Sequence, residues 1–78
     1  MKILVKLFVT FRQYCPEGVD NTFEIDCDSE QTVGSFVELL NIPSSEQKVV
    51  LVNGHHSEEN TKLFSGDTVT LYPPIAGG

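Results

Sequence analysis

From Lys2 to Phe11 the chain alternates with a period of two. Ile3, Val5, Leu7, Val9 and Phe11 fall on one face, and Lys2, Leu4, Lys6, Phe8 and Thr10 on the other. A period of two is that of a half-buried strand, so the pattern predicts a strand over the whole run with one strictly apolar face. Leu4 and Phe8 are apolar on the mixed face, either as ordinary exposed residues or as part of a docking patch. Pro16 and Gly18 mark Arg12 to Asp20 as a loop. A second alternating run follows, with Phe23, Ile25 and Cys27 opposite Thr22, Glu24 and Asp26, and the two runs are expected to pair as a hairpin.

After Asp28-Ser29-Glu30 the period changes. Val33, Phe36, Val37 and Leu40 recur at helical spacing behind Thr32, a suitable N-cap, which predicts an amphipathic helix of about three turns. Gly34 costs roughly 1 kcal/mol of helix propensity relative to alanine, and near the first turn it would admit close packing against a strand. Asn41-Ile42-Pro43 ends the helix. Lys48-Val49-Val50-Leu51-Val52 is a continuous apolar run, as in a strand covered on both sides or at least well buried. Asn53-Gly54 is the strongest turn signal, because a type I′ hairpin needs positive φ at both positions, and His55-His56-Ser57 is the expected return strand. Leu63-Phe64 is expected to enter the core from an otherwise polar segment. Ser65-Gly66-Asp67 then turns the chain into Thr68 to Tyr72, with Val69 and Leu71 facing inward.

Strand, strand, helix, strand, short strand and strand place one helix on one face of a mixed sheet of four to five strands, an α+β arrangement with the first and last strands as parallel central neighbours. The 78 residues hold one such domain, expected over residues 1–72, followed by a tail at 73–78. No apolar run approaches the ~20 residues of a membrane span. Met1 to Lys6 lacks the pattern of a secretory leader, so a cytoplasmic location is expected. Eleven acidic residues against five basic ones, a net charge of −6, argue against nucleic acid and fit a partner with a basic face, or simple solubility. Cys15 and Cys27 are expected to be reduced, with Cys27 buried as a small apolar residue. His55 and His56 match no paired-ligand spacing, so no metal is expected. Glu58-Glu59 and Asp26 with Asp28 read as solvated acidic surface rather than an acid and base pair.

The last stretch is unlike the rest. Pro73 and Pro74 stiffen the exit from the final apolar run, Ile75 and Ala76 follow, and Gly77 and Gly78 carry no side chain. Together with the order of elements, Val52-Asn53-Gly54 and Gly66-Asp67, the ending Pro73-Pro74-Ile75-Ala76-Gly77-Gly78 resembles the small ubiquitin-like sulfur carriers of β-grasp fold. Those include the molybdopterin synthase small subunit and the thiamine-pathway sulfur carrier, and the Pro-Pro-x-Ala-Gly-Gly ending is more similar to the molybdopterin branch.

The resemblance implies that a ubiquitin-activating-type enzyme adenylates Gly78 and that sulfur displaces the adenylate, leaving a C-terminal thiocarboxylate. The chain itself would bind no cofactor, and ATP would be used by the activating enzyme. Implied partners are that enzyme, a sulfur donor enzyme, and the large subunit of molybdopterin synthase or another sulfur-accepting synthase, with partners supplying the catalysis. Gly77 lets the carboxylate thread a narrow channel, and the prolines limit the conformations frozen on docking. Ile75 and Ala76 of the tail, with Tyr72 and Phe8 on the outer sheet face beside it, complete the expected partner-binding set. The same tail would serve a modifier conjugated to lysines, and a third reading is a noncovalent interaction module with an incidental tail.

Overall fold

The computed structural model describes residues 1–74. The first alternating run forms a strand, β1 (Lys2–Leu7), with Ile3, Val5 and Leu7 fully buried. It is shorter than the pattern predicts. Phe8 is still extended, but Val9 turns to φ 57° and a 3₁₀ helix runs over Val9–Tyr14. Val9 is therefore not on the inner face; it is 67% exposed. Phe11 is fully buried all the same, by a different route. The 3₁₀ period stacks residues three apart, and the Phe11 N–H donates to the Phe8 carbonyl at 3.1 Å.

β2 (Thr22–Asp26) pairs antiparallel with β1, Lys2 opposite Asp26 and Lys6 opposite Thr22, and its Phe23 and Ile25 pack against the core. The hairpin is as expected. Cys15 and Cys27 are free thiols, both half-buried rather than enclosed.

The helix α1 (Val33–Leu39) has seven residues, two turns rather than three. Thr32 caps it, accepting from the Ser35 N–H at 3.2 Å while the Ser35 hydroxyl accepts from the Thr32 N–H at 2.9 Å. This reciprocal pair is a capping box. At the other end Asn41 takes φ 64°, its N–H donates to the Glu38 carbonyl at 2.9 Å, and the Ile42 N–H reaches Val37 at 3.4 Å. Those two bonds are the Schellman pattern, so the helix stops where asparagine tolerates the left-handed region. Leu40 lies just past the last turn yet remains buried. Gly34 packs against the segment after the second hairpin and not against a strand. A Cβ there would lie 3.3 Å from the Glu59 carbonyl oxygen, which accepts the Gly34 N–H at 2.9 Å.

β3 (Val49–Val52) is half-buried at every residue, so it is not covered on both sides. Pairing assigns its faces: Val50 and Val52 lie opposite the buried Leu71 and Val69, whereas Val49 and Leu51 lie opposite Tyr72 and Thr70. Asn53 at φ 52° and Gly54 at φ 83° make the tight turn into β4 (His55–His56). Leu63 is buried, but Phe64 is 67% exposed. Consecutive residues of an extended segment point opposite ways, and a bond from the Phe64 N–H to Asp67 Oδ2 at 2.8 Å fixes the turn that follows.

β5 (Thr68–Tyr72) completes a five-stranded sheet of order β2-β1-β5-β3-β4. It runs parallel to β1 and antiparallel to β3, the expected central parallel pair. The core joins Ile3, Val5, Leu7, Val69 and Leu71 of the sheet to Val33, Phe36 and Val37 of the helix. This is the β-grasp arrangement. No helix among the described residues is long and apolar enough to cross a membrane.

Candidate functional site

Because β1 and β5 are parallel, both strands finish at the same end of the sheet. Leu7 pairs with Leu71, and the Phe8 N–H donates to the Leu71 carbonyl at 3.1 Å. Phe8 thus sits beside Tyr72 on the outer face, both half-buried, with Val49 across from Tyr72 on the other side. Pro73 is half-buried and Pro74 exposed. Of the residues expected to bind partners, the structure brings Phe8, Tyr72, Pro73 and Pro74 to this one pole. Ile75, Ala76, Gly77 and Gly78 lie outside the described residues.

The outer face behind the pole is mixed. Thr22, Lys6, Thr70, Leu51 and His56 stand in cross-strand register, with Glu24, Leu4 and Thr68 in the next row. Lys6 makes no ion pair among the described residues. The two pairs that do form join Arg12 with Asp20 and the terminal amine with Asp26.

One support of the pole carries no sequence signal. The Tyr14 hydroxyl donates to Glu46 Oε2 at 2.5 Å, and the Glu46 carbonyl accepts from Lys48 Nζ at 2.6 Å. Tyr14 ends the 3₁₀ helix that begins next to Phe8, and Lys48 leads into β3 beside Tyr72. The clamp thus ties both flanks of the tail's base across 32 residues of sequence. The hydrogen bond to Glu46 raises the Tyr14 pKa, with burial and the nearby carboxylate charge adding to it. Burial likewise pushes the Cys15 thiol up, opposed by Arg12 and reinforced by Asp20.

Pro74 also stands at the rim of a half-open groove of about 650 Å³ between α1, residues 44–48 and the segment after β4. Val33, Val37, Ile42 and Val50 floor it, and Glu38, Glu58 and Glu59 edge it. Those carboxylates are exposed, and among the described residues no side-chain hydrogen bond joins any two of them. His55 and His56 stand on one edge strand and Cys27 follows the other, so the sheet order keeps them apart. Among the described residues no three His, Cys, Asp or Glu side chains gather to hold a metal ion.

Several solved structures share this architecture. SAMP1 from Haloferax volcanii superposes with a TM-score of 0.77 at 24% identity, covering 100% of both chains. A protein described as molybdopterin converting factor, subunit 1, from Pyrococcus furiosus gives a TM-score of 0.77 at 27% identity over 95% of this chain and 98% of that one. A third match, with a TM-score of 0.66 at 21% identity over 100% of each chain, comes from the complex of subunits 1 and 2 of the molybdopterin-converting factor of Helicobacter pylori. No curated protein sequence gives a significant match. The likenesses below 25% identity establish the fold, a ubiquitin-like β-grasp. The family follows from the sequence itself: the model described as Mut7-C ubiquitin matches residues 1–77, nearly the whole length, and the chain belongs to that family.

Proposed function

We propose that this protein is a sulfur carrier of the molybdopterin type, whose Gly78 carboxylate is activated and loaded by partner enzymes. The observation that carries the reading is the pole from which the tail departs: Pro73 and Pro74 leave the central parallel pair beside half-buried Phe8 and Tyr72, and the sequence continues Ile-Ala-Gly-Gly. In the first step a Gly78 carboxylate oxygen attacks the α-phosphorus of ATP and pyrophosphate leaves. In the second a hydrosulfide equivalent from a sulfur donor adds to the acyl carbon and AMP departs with the carboxylate oxygen, leaving a thiocarboxylate. Adenylation is needed because a free carboxylate is a poor electrophile at neutral pH, and the thiocarboxylate is then a nucleophilic sulfur. The described residues contribute binding and positioning, with catalysis in the partners. The Helicobacter pylori complex supports assigning a large synthase subunit as acceptor.

The experiment is the intact mass of the protein coexpressed with its adenylating enzyme and a sulfur donor. The expected product carries one sulfur in place of one oxygen, and fragmentation must place the change at the carboxyl end of Gly78. A change confined to Met1, Cys15 or Cys27 refutes the reading, since oxidation there alters the mass almost identically.

A second reading, conjugation through Gly78 to lysines of other proteins, draws on the match to Haloferax volcanii small archaeal modifier protein 1, which shares the fold at 23% identity. It predicts isopeptide-linked adducts that vanish when Gly78 is deleted. Copurification with a thiazole synthase instead of a large synthase subunit would move the acceptor to the thiamine pathway.

A further inference from the structure

We propose that Val9 is a partner-contact residue, held in a strained backbone conformation that presents its side chain to the enzyme taking up the Gly78 carboxylate; the inference rests on the sulfur-carrier reading above. Four non-glycine residues among those described have positive φ: Val9, Glu30, Asn41 and Asn53. Asparagine visits this region routinely, but for a β-branched residue it is an outlier that the surroundings must impose. The fold needs a reversal after Phe8 so that the 3₁₀ helix can bury Phe11. It does not need valine to make it. Glycine or asparagine reaches φ 57° with less strain, and at 67% exposure the Val9 side chain gains little from the core. Strain that packing does not explain is a reason to look for a functional one.

Position supplies it. Val9 follows Phe8, which is bonded to Leu71, so it stands at the pole where β5 ends. The four residues from Ile75 to Gly78 span at most about 14 Å fully extended. That is less than the shortest dimension of the domain, 21 Å. A protein that closes on the Gly78 carboxylate must therefore lie against this pole, where Val9, Phe8 and Tyr72 offer apolar surface. Phe64 is equally exposed, but the turn that carries it is bonded to Lys2, at the start of β1 and the opposite pole. The tail's reach does not extend there.

The test uses the full chain, its adenylating enzyme and ATP–pyrophosphate exchange. Val9→Asn is expected to raise KM for the carrier about tenfold, the size of losing one well-packed apolar anchor, with kcat unchanged because the contact is made equally before and during reaction. Its thermal midpoint should be equal to or above the parent's. Val9→Ile should restore KM, and Phe64→Ser should leave it at the parent value. An unchanged KM in Val9→Asn, an equal rise in Phe64→Ser, or a thermal midpoint several degrees lower in Val9→Asn each overturns the role of Val9 while leaving the carrier reading intact. No exchange with the unmodified protein overturns both.

Discussion

Replacing Asn53 with alanine should be among the most damaging single changes on the surface of this protein. Asn53 Oδ1 accepts the Thr68 N–H at 2.9 Å and its Nδ2 donates to Asp67 Oδ1 at 2.9 Å, while Asp67 Oδ2 holds the Phe64 N–H at 2.8 Å. One side chain thus joins the β3–β4 turn to the turn that launches β5, and it does so from a backbone at φ 52°. Each hydrogen bond is worth about 0.5–1.5 kcal/mol. Because the site is exposed and water substitutes for lost partners, the two together contribute about 1 kcal/mol. Placing alanine in the left-handed region costs roughly 1–2 kcal/mol more. The sum, about 2–3 kcal/mol, is a large share of the ~4–12 kcal/mol expected of a domain this size. It corresponds to a fall of roughly 10–20 °C in thermal midpoint by calorimetry. Asn53→Gly separates the contributions, since glycine keeps the backbone freedom and loses only the hydrogen bonds, so about 1 kcal/mol is expected. A cost below about 0.5 kcal/mol for Asn53→Ala, within the range of ordinary surface changes, would refute the reasoning. Equal losses for the two variants would remove the backbone contribution.

Removing the helix cap with Thr32→Ala should cost about 1 kcal/mol in chemical denaturation, whereas Thr32→Ser should recover most of it. In a Tyr72→Phe background, where Tyr14 is the only remaining tyrosine, phenolate absorbance should titrate above the ordinary value near 10. Glu46→Gln should bring that midpoint down. The neutral phenol is the form the fold favours, so this contribution to stability is fully present below the unfolded-state value and is lost as pH rises from there through the folded one. Phe8→Asp or Lys6→Glu should weaken binding to the adenylating enzyme by surface plasmon resonance without changing the thermal midpoint; an unfolded Phe8→Asp protein would mean that Phe8 serves the core.

How legible a segment was depended on whether local chemistry and tertiary demand agreed. At Asn53-Gly54 they agree, because the turn requires two positive φ values and the sequence supplies residues that tolerate them. At Thr32 and Asn41 cap chemistry does the same for the helix ends, although Leu40, in phase with the apolar stripe, lies past the last turn and made the helix look longer. At Val9-Thr10-Phe11 they conflict. Valine, threonine and phenylalanine favour strands and continue the alternation of β1 without a glycine or proline to break it. The chain nevertheless turns, and the gain is the complete burial of Phe11 against the end of the sheet. The Tyr14–Glu46 clamp was illegible for a different reason, since it joins two loops that only the closed fold brings together. The tail was conspicuous in composition, but its point of departure at Pro73 follows from a single topological fact. Parallel pairing of β1 with β5 sends the exits of both strands to one pole, so the reversal at Val9 and the departure at Pro73 necessarily become neighbours. A valine that defies its own backbone preference is thus found next to the segment that a partner must reach if the protein is a sulfur carrier, and on that proposal its strain is a functional feature of the pole and not an accident of the turn.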